Sequence, residues 1–150
     1  MSFFGVFGEG RARALAESRA TYLCSPVLHY SLDGLITLVY GKRDGIVSAA
    51  CYPHVFAATS SQSPGFSVST QTVSRLYFRY GKHFGKHLAY PMAYALYDSR
   101  RATLYLGGTG GEKCYLEAWN NAILFSSDPH LLHAPIAADY AVLENKKEAR

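Results

Sequence analysis

The stretch that decides the fold runs from Ser69 to Leu132, STQTVSRLYFRYGKHFGKHLAYPMAYALYDSRRATLYLGGTGGEKCYLEAWNNAILFSSDPHLL. Its periodicity changes part-way along. Val73, Leu76, Tyr77 and Tyr80 fall at helical spacing from Thr70, and Gly81 stands where a helix can end in left-handed backbone. After a basic link, alternation resumes at Tyr90 and continues to Phe125. Met92 to Leu106 reads as an antiparallel hairpin in the core, turning at Asp98-Ser99.

Outward from there, Phe3 to Phe7 reads as a buried strand, central in one sheet. Glu9 to Ala20, with Glu early and Arg late, reads as a short surface helix. Asp33-Gly34 and Asp44-Gly45 are hairpin signals on either side of Leu35 to Tyr40, with Ile46 to Tyr52 as the returning strand and Pro53 as its stop. Ala57 to Val68 is loop-like and separates the two halves. Gly107 to Gly111 reads as a flexible strand-to-strand corner; no helix start and no following Lys-Ser/Thr pair supports a phosphate cradle. Antiparallel strands, a helix, then more antiparallel strands indicate an α+β domain occupying residues 1–150.

A chain of 150 residues suits one domain burying roughly two thirds of its unfolded surface. No apolar run approaches the roughly 20 residues of a membrane helix, so a soluble protein is expected. Three scattered cysteines, Cys24, Cys51 and Cys114, argue against a disulfide framework and for a reducing, intracellular compartment, whether cytoplasm or organelle interior. His83 and His87 are separated by Gly85 with no carboxylate near in sequence, and Cys51 with His54 lacks a second pair, so neither metal nor cofactor is assigned. Arg79, Lys82, His83, Lys86 and His87 form the densest positive patch in a chain of net charge +4. A solvated helix end is the ordinary reading of such a patch, and contact with nucleic acid through Arg79, Lys82 and Lys86 is the minor one. Twelve tyrosines and eight phenylalanines suit two packed sheets and a protein interface.

The order of short motifs resembles the class II glutamine amidotransferase domain that opens asparagine synthetases. The matching features are Tyr80-Gly81 at a helix end, Met92 to Asp98 ending in Leu-Tyr-Asp, Thr103 to Leu106, Gly111-Glu112-Lys113 at the corner, and Leu124 to Asp128. Met1-Ser2-Phe3-Phe4-Gly5-Val6-Phe7-Gly8 is similar to the family opening, and Leu35 to Gly41 to the strand before its Asn-Gly turn. Family text is missing between Arg19 and Asp33 and after Tyr52, where the substrate loops belong. The synthetase half and its pyrophosphate loop have no counterpart in this sequence.

The resemblance implies an N-terminal-nucleophile hydrolase-like fold, a four-layer αββα sandwich of two antiparallel sheets. It also implies a nucleophile at the first residue of the mature chain, whose own amine acts as base. Ser2 lies at or beside that position, and serine is a weaker nucleophile than the family's cysteine. Tyr40-Gly41 stands where the family places the Asn and Gly of its oxyanion turn, and Ser69 where an Asp receives the substrate amine. Loss of one oxyanion donor costs on the order of 10²–10³ in rate. The reading therefore leans away from an enzyme: a degenerate amidotransferase-like domain serving as a structural or accessory subunit, with protein partners near Tyr40 to Arg43 and Tyr52 to Ser69. Two other readings stand beside it: an amidohydrolase using Ser2 as nucleophile, and a basic module associated with nucleic acid.

Overall fold

The computed structural model describes residues 3–8, 26–31, 33–41, 47–52, 54–60, 70–119 and 121–145. The expected helix of Glu9 to Ala20, Ser2, Ser69, Lys42-Arg43, Asp44-Gly45 and the end of the charged tail lie outside them.

Two antiparallel sheets form the domain. The first is six-stranded. Its strands are β1 (Phe3–Phe7), β2 (Pro26–Tyr30), β3 (Ile36–Gly41), β8 (Cys114–Trp119), β9 (Ala122–Ser126) and β10 (Ile136–Ala138), in the order β10-β8-β9-β1-β3-β2. The second is five-stranded, with β4 (Val47–Tyr52), β5 (Val55–Ser60), β6 (Met92–Asp98), β7 (Thr103–Thr109) and β11 (Tyr140–Glu144) in the order β11-β7-β6-β5-β4. A helix, α1 (Thr70–Tyr80), continues as a 3₁₀ segment, Gly81–His87, across the outer face of the second sheet. The antiparallel sandwich, the inner position of β1 and the β6–β7 hairpin agree with the sequence reading. One helical layer is described, so the four-layer expectation is met in its two sheets and one helical layer among the described residues.

All five residues of β1 are buried, because both faces of the strand are covered. Phe3 and Phe7 point into the core between the sheets, with Leu38, Phe56, Tyr97, Leu104 and Leu106. Phe4 and Val6 pack on the other face with Val39, Leu124 and Leu132. A strand covered on both sides has no reason to alternate, which is why FFGVF reads as a continuous apolar run. Gly5 is required by its neighbour: a Cβ there would lie 2.1 Å from the Phe125 ring.

The third core lies between α1, the 81–87 segment and the second sheet. Val73 and Tyr77 face inward at helical spacing, and Gly81, at φ +60°, ends the α-helix as expected. Phe84, fully buried, anchors the 3₁₀ segment through edge contacts with Tyr77, Tyr94 and Tyr105 at ring distances of 5.8, 5.1 and 5.9 Å. Much of the aromatic content is thus consumed by packing.

Three sequence expectations differ from the structure. Val55–Ser60 is a fully buried central strand where the sequence suggests the start of a loop. Ala57, Ala58, Thr59 and Ser60 are small because α1 packs on one face of this strand and the other sheet on the opposite face, so size and not hydropathy governs their choice. The strand expected to return from Leu35–Tyr40 instead joins the second sheet. β3 pairs with β2 across the Asp33-Gly34 turn, whereas β4 pairs with β5. Asp33 fixes its turn by accepting from Ser31 Oγ at 2.6 Å and Leu35 N at 3.1 Å, and its other oxygen receives the Tyr97 hydroxyl from the opposing sheet. Finally, Gly107 and Gly108 belong to β7, and only Gly110 and Gly111, at φ +61° and +88°, make the corner.

Candidate functional site

The resemblance directs attention to the start of β1, and the sheet register shows what surrounds it. Tyr40 on β3 lies across from Phe3, and Gly41 pairs with Pro26 of β2. On the other side β9 places Ser126 across from Phe4. Phe3 is held by two serines: its amide donates to Ser127 Oγ at 2.9 Å, and its carbonyl accepts from Ser126 Oγ at 2.9 Å and Ser127 N at 3.1 Å. Ser126 Oγ also accepts from Asp128 N at 2.9 Å. Both hydroxyls are committed to fixing the first strand against the last residues of β9.

A polar cleft of about 330 Å³ opens beside these serines, lined by Glu112, Lys113, Tyr115, Ser127, Asp128 and His130. The Asp128 carboxylate accepts from His130 N and contacts His130 Nδ1, both at 2.9 Å. Such a pair has the form of an oriented base. Its position favours a capping role, since Asp128 is the N-cap of the 3₁₀ turn Pro129–Leu131 and the His130 side chain is 91% exposed.

Cys114, on β8 between the cleft residues Lys113 and Tyr115, lies in the inter-sheet core, is wholly buried and donates its thiol to Ser126 O at 3.4 Å. Burial pushes the thiol from the ordinary 9.0 up to about 12, against the lowering effect of its hydrogen bonds to the Tyr115 and Ser126 backbone. At neutral pH it is a protonated core residue with no nucleophilic character. Tyr40 packs against the inter-sheet core, and burial raises its hydroxyl above the usual tyrosine value. An aromatic ring engaged in packing thus occupies the position where the resemblance implies an amide donor.

Of the residues singled out in the sequence, the structure places Tyr40 and Gly41 on neighbouring positions of β3 near the start of β1. Ser2 and Ser69 lie outside the described residues. The basic patch divides. Lys82, His83 and Lys86 share the rim of a second cavity, while Arg79 lies 5.3 Å from the Tyr80 ring and His87 stacks on that ring at 3.6 Å. Among the described residues no group of three or more His, Cys, Asp or Glu could hold a metal ion, and no helix is long and apolar enough to cross a membrane.

Neither a protein-family model nor a curated protein matches the chain. A solved structure does. Glutamine phosphoribosylpyrophosphate amidotransferase from B. subtilis, complexed with ADP and GMP, superposes on 87% of this chain with a TM-score of 0.55 at 10% sequence identity. The likeness is one of fold. The match covers 42% of the length of that amidotransferase, so this chain corresponds to a part of it. The two-sheet architecture that the asparagine-synthetase-like motifs imply is therefore found in a solved glutamine amidotransferase.

Proposed function

We propose that this chain is a catalytically degenerate amidotransferase-like domain that serves as a structural or accessory subunit of a larger assembly. The observation that carries this reading is the state of the polar groups around β1. Ser126 and Ser127 hold the Phe3 backbone, Cys114 is a buried neutral thiol, and Tyr40 packs into the core. Each performs a structural task where glutamine chemistry would need free donors and a nucleophile. Tyr40-Gly41 and Ser69 stand in this reading as remnants of a glutamine pocket. A protein partner has a surface to cover at the β10 edge of the six-stranded sheet. There Ile136 is 68% exposed and Trp119, on neighbouring β8, is 38% exposed. In native extract the chain should migrate well above its own 16.5 kDa. Migration as a monomer would remove the subunit role.

A second reading, a small amidohydrolase with Ser2 as nucleophile, is favoured by the polar cleft at the start of β1. Lys113, Asp128 and His130 line it, and Ser127 joins it directly to Phe3, the residue after Ser2. This reading requires a free amine on Ser2. Intact-mass analysis that finds Met1 retained or an acetylated N-terminus excludes it, and a free Ser2 amine keeps it open.

A further inference from the structure

A cavity larger than the cleft beside β1 lies on the outer face of the five-stranded sheet, on the side away from the inter-sheet core. There the sheet extends past its helical cover. Ala141 and Leu143 of β11 pack inward between the sheets, so Tyr140 and Val142 alternate outward, 47% and 40% exposed. The 81–87 segment stands over the same face and is tied to β11 by the Tyr140 hydroxyl, which donates to Lys82 O at 3.0 Å. The space enclosed is about 600 Å³, within the range of small-molecule sites, and is lined by Lys82, His83, Lys86, Tyr94, Tyr140 and Val142, among others.

Tyr94 forms the floor. Its ring lies over Gly107, the residue directly across on β7: a Cβ at Gly107 would come within 2.6 Å of the Tyr94 hydroxyl oxygen, and one at Gly85 within 2.7 Å. Covering a strand glycine with an aromatic ring is a packing device, and phenylalanine would serve it as well. The hydroxyl is what packing does not explain. Tyr94 is 98% buried by accessible area and lines the cavity. Among the described residues the sealed side-chain polar atom without a partner is His54 Nδ1, so the Tyr94 hydroxyl, which has no hydrogen bond there, is reached from the cavity. The contrast is with Tyr77 in the same aromatic cluster, whose hydroxyl donates to Asp98 at 2.6 Å. A hydroxyl that opens on a cavity and makes no bond to its own chain is a donor available to a bound molecule. Burial, followed by the influence of Tyr140, raises the Tyr94 hydroxyl well above its ordinary value, so it remains a neutral donor at physiological pH. At the rim, Lys82 and Lys86 have no carboxylate partner among the described residues, and Asp139 is occupied by Lys113 at 4.0 Å.

From this arrangement we infer that the cavity binds a small amphipathic acid, in which an apolar or aromatic body carries an oxygen at its buried end and one carboxylate or phosphate at its outer end. The body lies against the Tyr94 ring and Val142. The buried oxygen receives the Tyr94 hydroxyl, and the acid group meets Lys82 and Lys86.

The test is an amide chemical-shift titration of the whole chain with 4-hydroxyphenylacetate, phenylacetate and 4-hydroxyphenyl phosphate. Saturable shifts confined to Gly85, Gly107, Gly108 and Val142 are expected. Val142→Trp, which fills an exposed position of the cavity wall, should abolish them, and Lys82→Ala with Lys86→Ala should weaken all three probes. Tyr94→Phe should weaken the two hydroxylated probes about three- to tenfold, the span of one hydrogen bond, and leave phenylacetate unchanged. Preference for the carboxylate or for the phosphate probe identifies the acid group, and either outcome supports the site. Absence of saturable shifts at millimolar concentration with every probe, or shifts that persist in a folded Val142→Trp protein, would overturn the proposal.

Discussion

Two openings among the described residues differ in what their polar groups do. Beside the start of β1, Ser126, Ser127 and Asp128 are bound to backbone, and the cleft they line is a consequence of how the first strand is fixed. Beneath the 81–87 segment, the Tyr94 hydroxyl faces the cavity without a hydrogen bond among the described residues, while Lys82 and Lys86 stand at the rim. Resemblance of fold points to the first opening, and available side-chain donors point to the second. A site inherited with a fold and a site visible in its side chains need not coincide.

Removing the wall between the cavity and the aromatic core should break the second opening alone. Phe84→Ala takes away the anchor of the 81–87 segment and should cost about 3–5 kcal/mol in chemical denaturation. The shifts induced by the acid probes should vanish, while the resonances of Ser126 and Ser127 stay in place. If those resonances move equally, the two regions are not separate.

The structural role of Cys114, behind the first opening, is tested by its titration. Its folded thiol titrates at about 12 against 9.0 when unfolded, so the neutral form is favoured in the fold. The stabilisation is complete below pH 9, and it declines as pH rises from there towards 12. Cys114→Ala should lack that decline relative to the parent chain. At pH 8 the native thiol should resist alkylation, read by peptide mapping, and a rapidly labelled Cys114 would contradict its structural assignment.

Tyr77 and Tyr94 sharpen the comparison further. Tyr77→Phe strips a hydrogen bond from Asp98, a buried carboxylate that among the described residues keeps the Arg100 amide at 3.0 Å, and should cost about 1.5–3 kcal/mol. Tyr94→Phe removes a hydroxyl that makes no hydrogen bond among the described residues and should change stability by less than about 0.5 kcal/mol. Equal losses in the two variants would mean that the Tyr94 hydroxyl is satisfied. Ser127→Ala falls between them at about 1 kcal/mol, because the Phe3 amide loses its acceptor.

How far the sequence reveals these features depends on whether a residue's neighbours are near it in the chain. α1, the β6–β7 hairpin and β1 are legible because Val73 and Tyr77, Met92 to Asp98, and Phe3 to Phe7 carry their burial in their own composition. β5 is not, since Ala57 to Ser60 are selected for smallness by α1 and the opposing sheet, which no local pattern records. β10 has three residues, and β11 sets Tyr140 and Val142 outward against Ala141 and Leu143 inward, an alternation of exposure without one of polarity. The two-sheet antiparallel arrangement is approached through the order of short motifs, whereas the Tyr94 cavity depends on Gly85, Gly107 and Tyr140 meeting over one face of the sheet. The doubled glycines at 107 and 108 were its one sequence signal, and they mark close backbone approach in place of a flexible corner. A Cβ at Gly108 would lie 1.9 Å from Glu112 O.

Ammonia release from glutamine, measured on the purified chain with the Ser2 amine free and compared with Ser2→Ala, tests the central claim most directly. The account predicts no release above the buffer rate in either protein. Release by the parent chain that disappears in Ser2→Ala would show that the start of β1 is a working active site and would contradict it.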